Sequence, residues 1–406
     1  MTVLDLRSGI SRLFGGASGP WRIGAEAELI AISRATREMV PLEGESGVTL
    51  LSVLRTIADA RGWSEGRRAY GIPAFSVPGG GTLSFEPGGQ VELSTLPFTS
   101  PSSLLAAVRE TIGVLRAEGD RSGIEFLEVG LDPFNPVEKV AFAYDVDRYN
   151  RMARHFARIG DDGVRMMKQT ASFQVSLDVE RDDAFDVWRC LNAIVPIAIA
   201  ALANSPVYGG RPTGEVSTRA GIWQRVDRSR TGIFSGNDPV GEYLGFALSA
   251  TSFLDEELAG RSMAEAVAAG HVDDRSWREH LTTLFPEVRP RGHFEFRAAD
   301  MVDDAARAAL LVLLSAVVRS ESARCGILEI VGESDVVAYA RAPRADAGLL
   351  TMAAEAFAVA LHAARAEERG FWAQADLEGA AEFVSSVTAR GRAPGHLWEA
   401  LQLRSA

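Results

Sequence analysis

The sequence predicts a single composite unit of mixed strands and helices, of the α/β or α+β kind, and three observations carry that expectation. Four separate stretches alternate apolar and polar residues with the period of two that a half-buried strand requires. Between and after them lie longer segments whose apolar residues recur at helical spacing. No repeat, low-complexity tract or linker divides the 406 residues, although length alone would suggest about two to three domains.

The first strand is expected over Arg22–Ile32. Ile23, Ala25, Ala27 and Leu29 point one way; Gly24, Glu26, Glu28 and Ile30 point the other. Glu26 and Glu28 therefore share a face, about 7 Å apart by the strand rise. A helix over Gly47–Arg61 follows, with Gly62 placed as its C-cap. The stretch TLSFEPGGQVELSTLP, Thr82–Pro97, reads as two strand pieces bent at Pro87-Gly88-Gly89. Glu86 stands just before the bend, and Gln90, Glu92 and Ser94 share a face beyond it, opposite Val91 and Leu93.

Ser100-Pro101 is a helix start, an N-cap followed by proline at the first helical position, and the amphipathic pattern runs to Glu118. A strand is expected over Ile124–Leu131, a short basic helix over Asp147–Ile159 and a third alternating strand over Ala171–Val179, which lifts Gln174 off the sheet. Asp182–Asn204 reads as a helix apolar nearly all round and hence buried. Gly209–Gly236 reads as a long polar loop with Arg211, Arg219, Arg225, Arg228 and Arg230; long loops in compact proteins tend to be functional. The last alternating strand, Gly292–Ala298, carries His293, Glu295 and Arg297 on one face, and helices over Asp303–Ala323 and Ala345–Glu368 follow, with short ones beyond.

The balance of 47% hydrophobic and 24% charged residues is that of a globular protein. A formal charge of -12 argues against a broad nucleic-acid footprint. Cys190 and Cys325 are too few for a disulfide framework and read as core residues, so a reducing, cytoplasmic setting is expected. The stretch MTVLDLRSGISRLFGG lacks the apolar region of a signal peptide. The longest apolar run, Ala193–Ala203, contains Pro196 and is too short to span a bilayer, so no membrane partner is expected.

If the four alternating strands share a sheet, Glu26, Glu28, Glu86, Glu92, Gln174 and Glu295 converge on one polar face beside Arg297. Five carboxylates with few histidines suit Mg2+ or Mn2+ better than Zn2+. A transferring phosphoryl group is stabilised by such an ion and by arginine. That makes the loop arginines Arg225 and Arg230 candidates for nucleotide binding. Arginine also grips carboxylates through paired hydrogen bonds. There is no G-x-x-x-x-G-K-[ST] loop, so any ATP must be held on a sheet face. Residue spacing alone leaves an ATP- and metal-dependent enzyme and a non-catalytic binding module both open.

Several of these segments also resemble a known family. GAEAE (Gly24–Glu28), LSFEPGGQVELS (Leu83–Ser94), MMKQTASFQVSLD (Met166–Asp178), LANSPVYGGRPTG (Leu202–Gly214), STRAGIWQRVDRSRTG (Ser217–Gly232) and LTTLFPEVRPRGHFEFRAAD (Leu281–Asp300) resemble, in order, the plant and bacterial type-2 glutamate–cysteine ligases. The branch that starts ergothioneine synthesis is especially similar. The resemblance covers about residues 20–300 and leaves 301–406 as a C-terminal helical part of one catalytic domain, 1–406. It implies an α+β, glutamine-synthetase-like fold, an antiparallel saddle-shaped sheet flanked by helices. It also implies a reaction in which ATP phosphorylates the γ-carboxylate of glutamate and the amine of cysteine displaces phosphate.

By position in the motifs, Glu26, Glu28, Glu86, Glu92 and Glu295 would hold metal ions, with Gln174 beside them. Arg297, with Glu295, would meet the transferring phosphate. Arg219 and Trp223 match the loop that lines the glutamate pocket, and Arg148 and Tyr149 match an R-Y segment of the family. The approach AFAYDVD and the phenylalanines of HFEFRAAD depart from the usual pattern, which leaves open an amine acceptor other than cysteine, and with it a related carboxylate–amine ligase or a non-catalytic relative.

Overall fold

The computed structural model describes residues 2–16, 19–45 and 47–397; the last nine residues of the expected C-terminal helical part lie outside them. Its strands are β1 (Ile23–Ser33), β2 (Ser64–Arg67), β3 (Pro73–Val77), β4 (Gly81–Phe85), β5 (Val91–Thr95), β6 (Ile124–Leu127), β7 (Phe173–Leu177), β8 (Val207–Tyr208), β9 (Arg211–Pro212), β10 (Val288–Pro290) and β11 (Phe294–Phe296). Eight of them form one continuous sheet in the order β10-β11-β7-β1-β5-β4-β3-β2, with β6 joined to β1. Every pairing in it is antiparallel.

β1 is the axis because it is long enough to serve two sets of neighbours. Its first half pairs with β5 and β7, and its second half, Ile30–Ser33, pairs with β6. The small Ala25 and Ala27 and the larger Leu29 face the core behind the sheet, where Pro101–Ser122 and Asp304–Arg319 pack across it. Pro101–Ser122 starts where the sequence places it: Ser100 Oγ accepts from the Ser103 N–H, and Gly123, at φ 71°, ends the helix. One apolar core extends from Leu6 to Ala393.

Ala184–Ala201 and Ala347–Arg365 are long and apolar enough by length and composition to cross a membrane. The first is the expected buried core helix, with 83% of its length inside the protein; the second is 44% buried.

A smaller apolar cluster, which includes Met152, Phe156, Met166, Trp223, Phe253 and Phe285, joins the helices Asp147–Ala157, Asp162–Gln169 and Thr218–Val226. The last of these corrects the loop expected over Gly209–Gly236. Ser217 caps it, and Ala220, Ile222, Trp223 and Val226 are buried, so Arg219 and Arg225 start from a packed helix.

Three smaller differences are local. The strand expected to reach Leu131 stops at Leu127, and Leu131 makes only an isolated bridge to Thr170. The helix expected over Asp303–Ala323 divides at Ser320, which leaves helical geometry and caps a second helix, Glu321–Val331. Cys190 is buried as expected, whereas Cys325 is exposed.

Candidate active site

The polar face of the sheet opens into a cavity of about 370 Å³ lined by Glu26, Glu28, Glu86, Glu92, Gln174, Tyr149, Arg219, Trp223 and Arg297, among others. Strand register places the acids. Glu26 lies between Ser94 of β5 and Gln174 of β7, and Glu28 stands directly opposite Glu92. Like charges facing each other across neighbouring strands destabilise a sheet unless something offsets them.

The bend after β4 brings in the third acid. Gln90 fixes it: its Oε1 accepts from the Gly88 N–H at 3.0 Å, and its Nε2 donates to the Thr170 carbonyl at 2.9 Å. The bend presses so closely on the end of Asp162–Gln169 that a Cβ on Gly88 would lie 2.0 Å from the Lys168 carbonyl oxygen, so only glycine fits. One carboxylate oxygen from each of Glu28, Glu86 and Glu92 then lies within 4.8 Å of the others.

Protonation follows from this crowding. Burial, then the charges of Glu92 and Glu28, pushes the Glu86 carboxyl well above the ordinary range. Burial and Glu92 raise Glu28 as well, although Glu28 accepts from the Ser172 N–H at 2.7 Å and from Gln174 Nε2 at 3.0 Å. Burial and Glu92 lift Glu26 to about 7. Carboxylate oxygens that converge within 4.8 Å are a donor set of the kind hard divalent ions take, and Glu28, Glu86 and Glu92 fit such an ion.

Glu295 does not join that cluster. It faces Arg289 across β10 and β11, and Arg289 and Arg291 donate to its two oxygens at 2.6 and 2.7 Å. Burial alone would raise its pKa, but His293 and the guanidiniums of Arg289, Arg297 and Arg291 overcome that and hold it far below the ordinary carboxylate range. A carboxylate so fully paired supports the arginines around the cavity.

Arg297 donates to Gln174 Oε1 and lies 3.6 Å from Glu295. Arg219 donates to the Arg297 carbonyl at 2.9 Å and lies over the Trp223 ring at 5.1 Å, while Trp223 Nε1 donates to the Phe285 carbonyl at 2.9 Å. These contacts put Arg219, Trp223 and Arg297 on one wall of the cavity. Tyr149 lines the mouth, and burial, with the charge of Glu86, pushes its phenol to about 12. Its neighbour Arg148 is not among the lining residues and donates to the Thr282 carbonyl at 3.3 Å.

Two expected nucleotide-binding residues are engaged elsewhere. Arg225 pairs with Asp162 at 2.8 Å and Glu215 at 2.9 Å outside the cavity. Arg230 is fully buried and donates to Asp227, Thr283 and Thr251, which makes it an internal brace. Sequence reasoning missed Arg68, Tyr70 and Arg289, all of which line the cavity. Arg68 and Tyr70 follow an edge strand, Ser64–Arg67, that is exposed throughout and has no alternating pattern to mark it. Arg289 stood in the quoted VRPRG segment and could have been found as the cross-strand partner of Glu295.

The family described as glutamate-cysteine ligase family 2 (GCS2) matches residues 22–393. The chain is 37% identical over 269 residues to the glutamate–cysteine ligase EgtA of Mycolicibacterium smegmatis, covering 61% of this chain and 63% of that protein. It is 32% identical over 303 residues to the chloroplastic glutamate–cysteine ligase of Medicago truncatula, covering 69% and 57%. The match thus spans less than two thirds of the length of these relatives. A crystal structure of glutamate–cysteine ligase from Francisella tularensis, in complex with AMP, superposes with a TM-score of 0.53 at 12% identity, over 94% of this chain and 87% of that one. At that identity the likeness speaks for the fold, and it agrees with the glutamine-synthetase-like architecture expected from the motifs.

Proposed function

The chain belongs to glutamate–cysteine ligase family 2, and from that premise we propose that it joins L-glutamate to L-cysteine at the expense of ATP, by way of a γ-glutamyl phosphate. One observation carries the reading: one cavity is lined both by a cluster of three carboxylates and by Arg219, Trp223 and Arg297. A divalent ion held by Glu28, Glu86 and Glu92, with Glu26 beside them, would neutralise the nucleotide phosphates.

The chain's own groups account for the rest. Arg219 grips the α-carboxylate of glutamate, and the Trp223 ring packs beneath the guanidinium and fixes its plane. The γ-carboxylate is thereby directed toward the carboxylate cluster and Arg297. Arg297, steadied by Gln174 and Glu295, meets the negative charge that spreads over the transferring phosphoryl oxygens. The amine of the acceptor then attacks the acyl carbon; phosphate leaves, and the proton lost by the amine passes to a neighbouring base or water.

The test is a panel of amines at fixed ATP and glutamate, scored by mass spectrometry for γ-glutamyl products and by ADP release. Cysteine should give γ-glutamylcysteine, and 2-aminobutyrate, which matches it in size, should be the best of the weak alternatives. A single apolar difference discriminates by only about 1–3 kcal/mol. Product from a larger or aromatic amine and none from cysteine would make the chain a carboxylate–amine ligase of another specificity.

A further inference from the structure

The cavity has a second cationic wall. Along the sheet order, Arg219, Arg289 and Arg297 cluster near the β10–β11 end, the carboxylate cluster sits on β1, β5 and the bend after β4, and Arg68 enters from the β2–β3 end. A pair of amino-acid substrates brings two α-carboxylates into a pocket that is already acidic. Each needs its own cation, and the Arg219 wall offers one.

The two walls differ in freedom. Arg219, Arg289 and Arg297 are buried or nearly so and braced by protein groups, with Arg297 Nε left unpartnered. The Arg68 side chain is 40% exposed and opens on the cavity. Two of its partners are neutral hydroxyls, Ser84 Oγ at 2.7 Å and Ser94 Oγ at 2.9 Å; the third is Glu92 Oε1 at 3.0 Å. These three contacts aim the guanidinium without using all five of its donors.

The backbone beyond it is forced into place. Tyr70 adopts φ 62° and Gly71 φ 73°, and the turn is closed by the Arg68 N–H donating to the Ile72 carbonyl at 2.8 Å. A left-handed conformation is unfavourable for an aromatic residue and persists only where the surroundings impose it. Its effect here is to hang Tyr70 over the cavity, with its ring 6.5 Å from that of Tyr149.

We propose that Arg68 receives the α-carboxylate of the amine acceptor, with Tyr70 and Tyr149 closing over it, so that this edge of the sheet selects amino acids over simple amines. The assignment rests on the ligase activity proposed above. The measurement is kcat/KM for cysteine and for cysteamine, which has the same thiol and amine but no carboxylate, at saturating ATP, glutamate and Mg2+. The full chain is compared with Arg68→Gln and Arg68→Lys.

Loss of a charge-assisted pair should cut the cysteine-over-cysteamine preference about tenfold to hundredfold in Arg68→Gln, and less in Arg68→Lys. The effect should lie mainly in the KM for cysteine, with the Mg2+ concentration for half-maximal rate unmoved. A preference that stays intact while both acceptors slow together, or while the Mg2+ requirement shifts, would assign Arg68 to Glu92 and overturn the proposal. So would an unchanged cysteine KM. If the unsubstituted chain uses neither acceptor, the ligase reading fails first and takes this assignment with it, an outcome visible before any variant is compared.

Discussion

Replacing Glu26 by glutamine tests whether burial and mutual repulsion raise the pKa of the acids of the cavity. Burial and the neighbouring Glu92 lift Glu26 from the ordinary 4.5 to about 7. An acid whose pKa is raised by folding contributes fully below its unfolded value and loses that contribution as pH rises through the folded one. The metal-free protein should therefore lose stability between about pH 4.5 and pH 7, and Glu86, raised by the same causes, should add to the loss. At about 1.36 kcal/mol per unit the Glu26 displacement is worth about 3 kcal/mol, and solvent in the cavity brings it to about 2–3 kcal/mol.

Glutamine keeps the volume and removes the titration. In EDTA, urea unfolding followed by tryptophan fluorescence should find Glu26→Gln and the unsubstituted chain equally stable near pH 4.5. By pH 8 the variant should be ahead by about 2–3 kcal/mol. Saturating Mg2+ should then raise the unsubstituted chain more than the variant. Parallel stability curves for the two proteins in EDTA across this range would refute the reasoning, because the carboxyl would then titrate alike in the folded and unfolded chains.

Two further substitutions separate binding from bracing. Arg219→Lys keeps the charge but loses the paired geometry and the flat contact with Trp223, so the KM for glutamate should rise about tenfold to hundredfold while that for ATP stays near its original value; an equal effect on both would move Arg219 to the nucleotide. Arg230→Met removes a fully buried guanidinium, takes one partner from Asp227, which keeps Ser229 and His155, and leaves the Thr251 and Thr283 oxygens without their donor; this should cost about 3 kcal/mol in unfolding experiments and leave the ATP KM of the surviving protein unchanged, whereas a raised ATP KM without lost stability would restore Arg230 to the nucleotide site.

What the sequence made legible was orientation. Period-two alternation in GAEAE and in the stretch around FEPGGQVELS put Glu26, Glu28, Glu86 and Glu92 on one face, and in the structure all four line one cavity. Ser100-Pro101 likewise marked a helix start, because a cap and a fixed φ act within one turn of chain. Orientation does not reveal partners. Glu295 alternates like the other acids, yet the register of β10 against β11 delivers it to Arg289, and register is set by turns and packing beyond the strand itself.

The arginines show the same limit from the other side. Arg225 and Arg230 lie in a polar stretch that resembles a solvated, anion-seeking loop, but Arg230 is held by Thr251 and Thr283, residues distant in sequence that meet it only after the helices pack. Arg68, on an edge with no pattern at all, is a half-exposed cation that borders the acids. Charge in a sequence therefore locates a site less reliably than charge left incompletely paired after folding. By that criterion Glu86, pushed far from its ordinary pKa, Arg68, with donors to spare, and Arg297, whose Nε is buried without a partner, are groups of this cavity in need of a ligand.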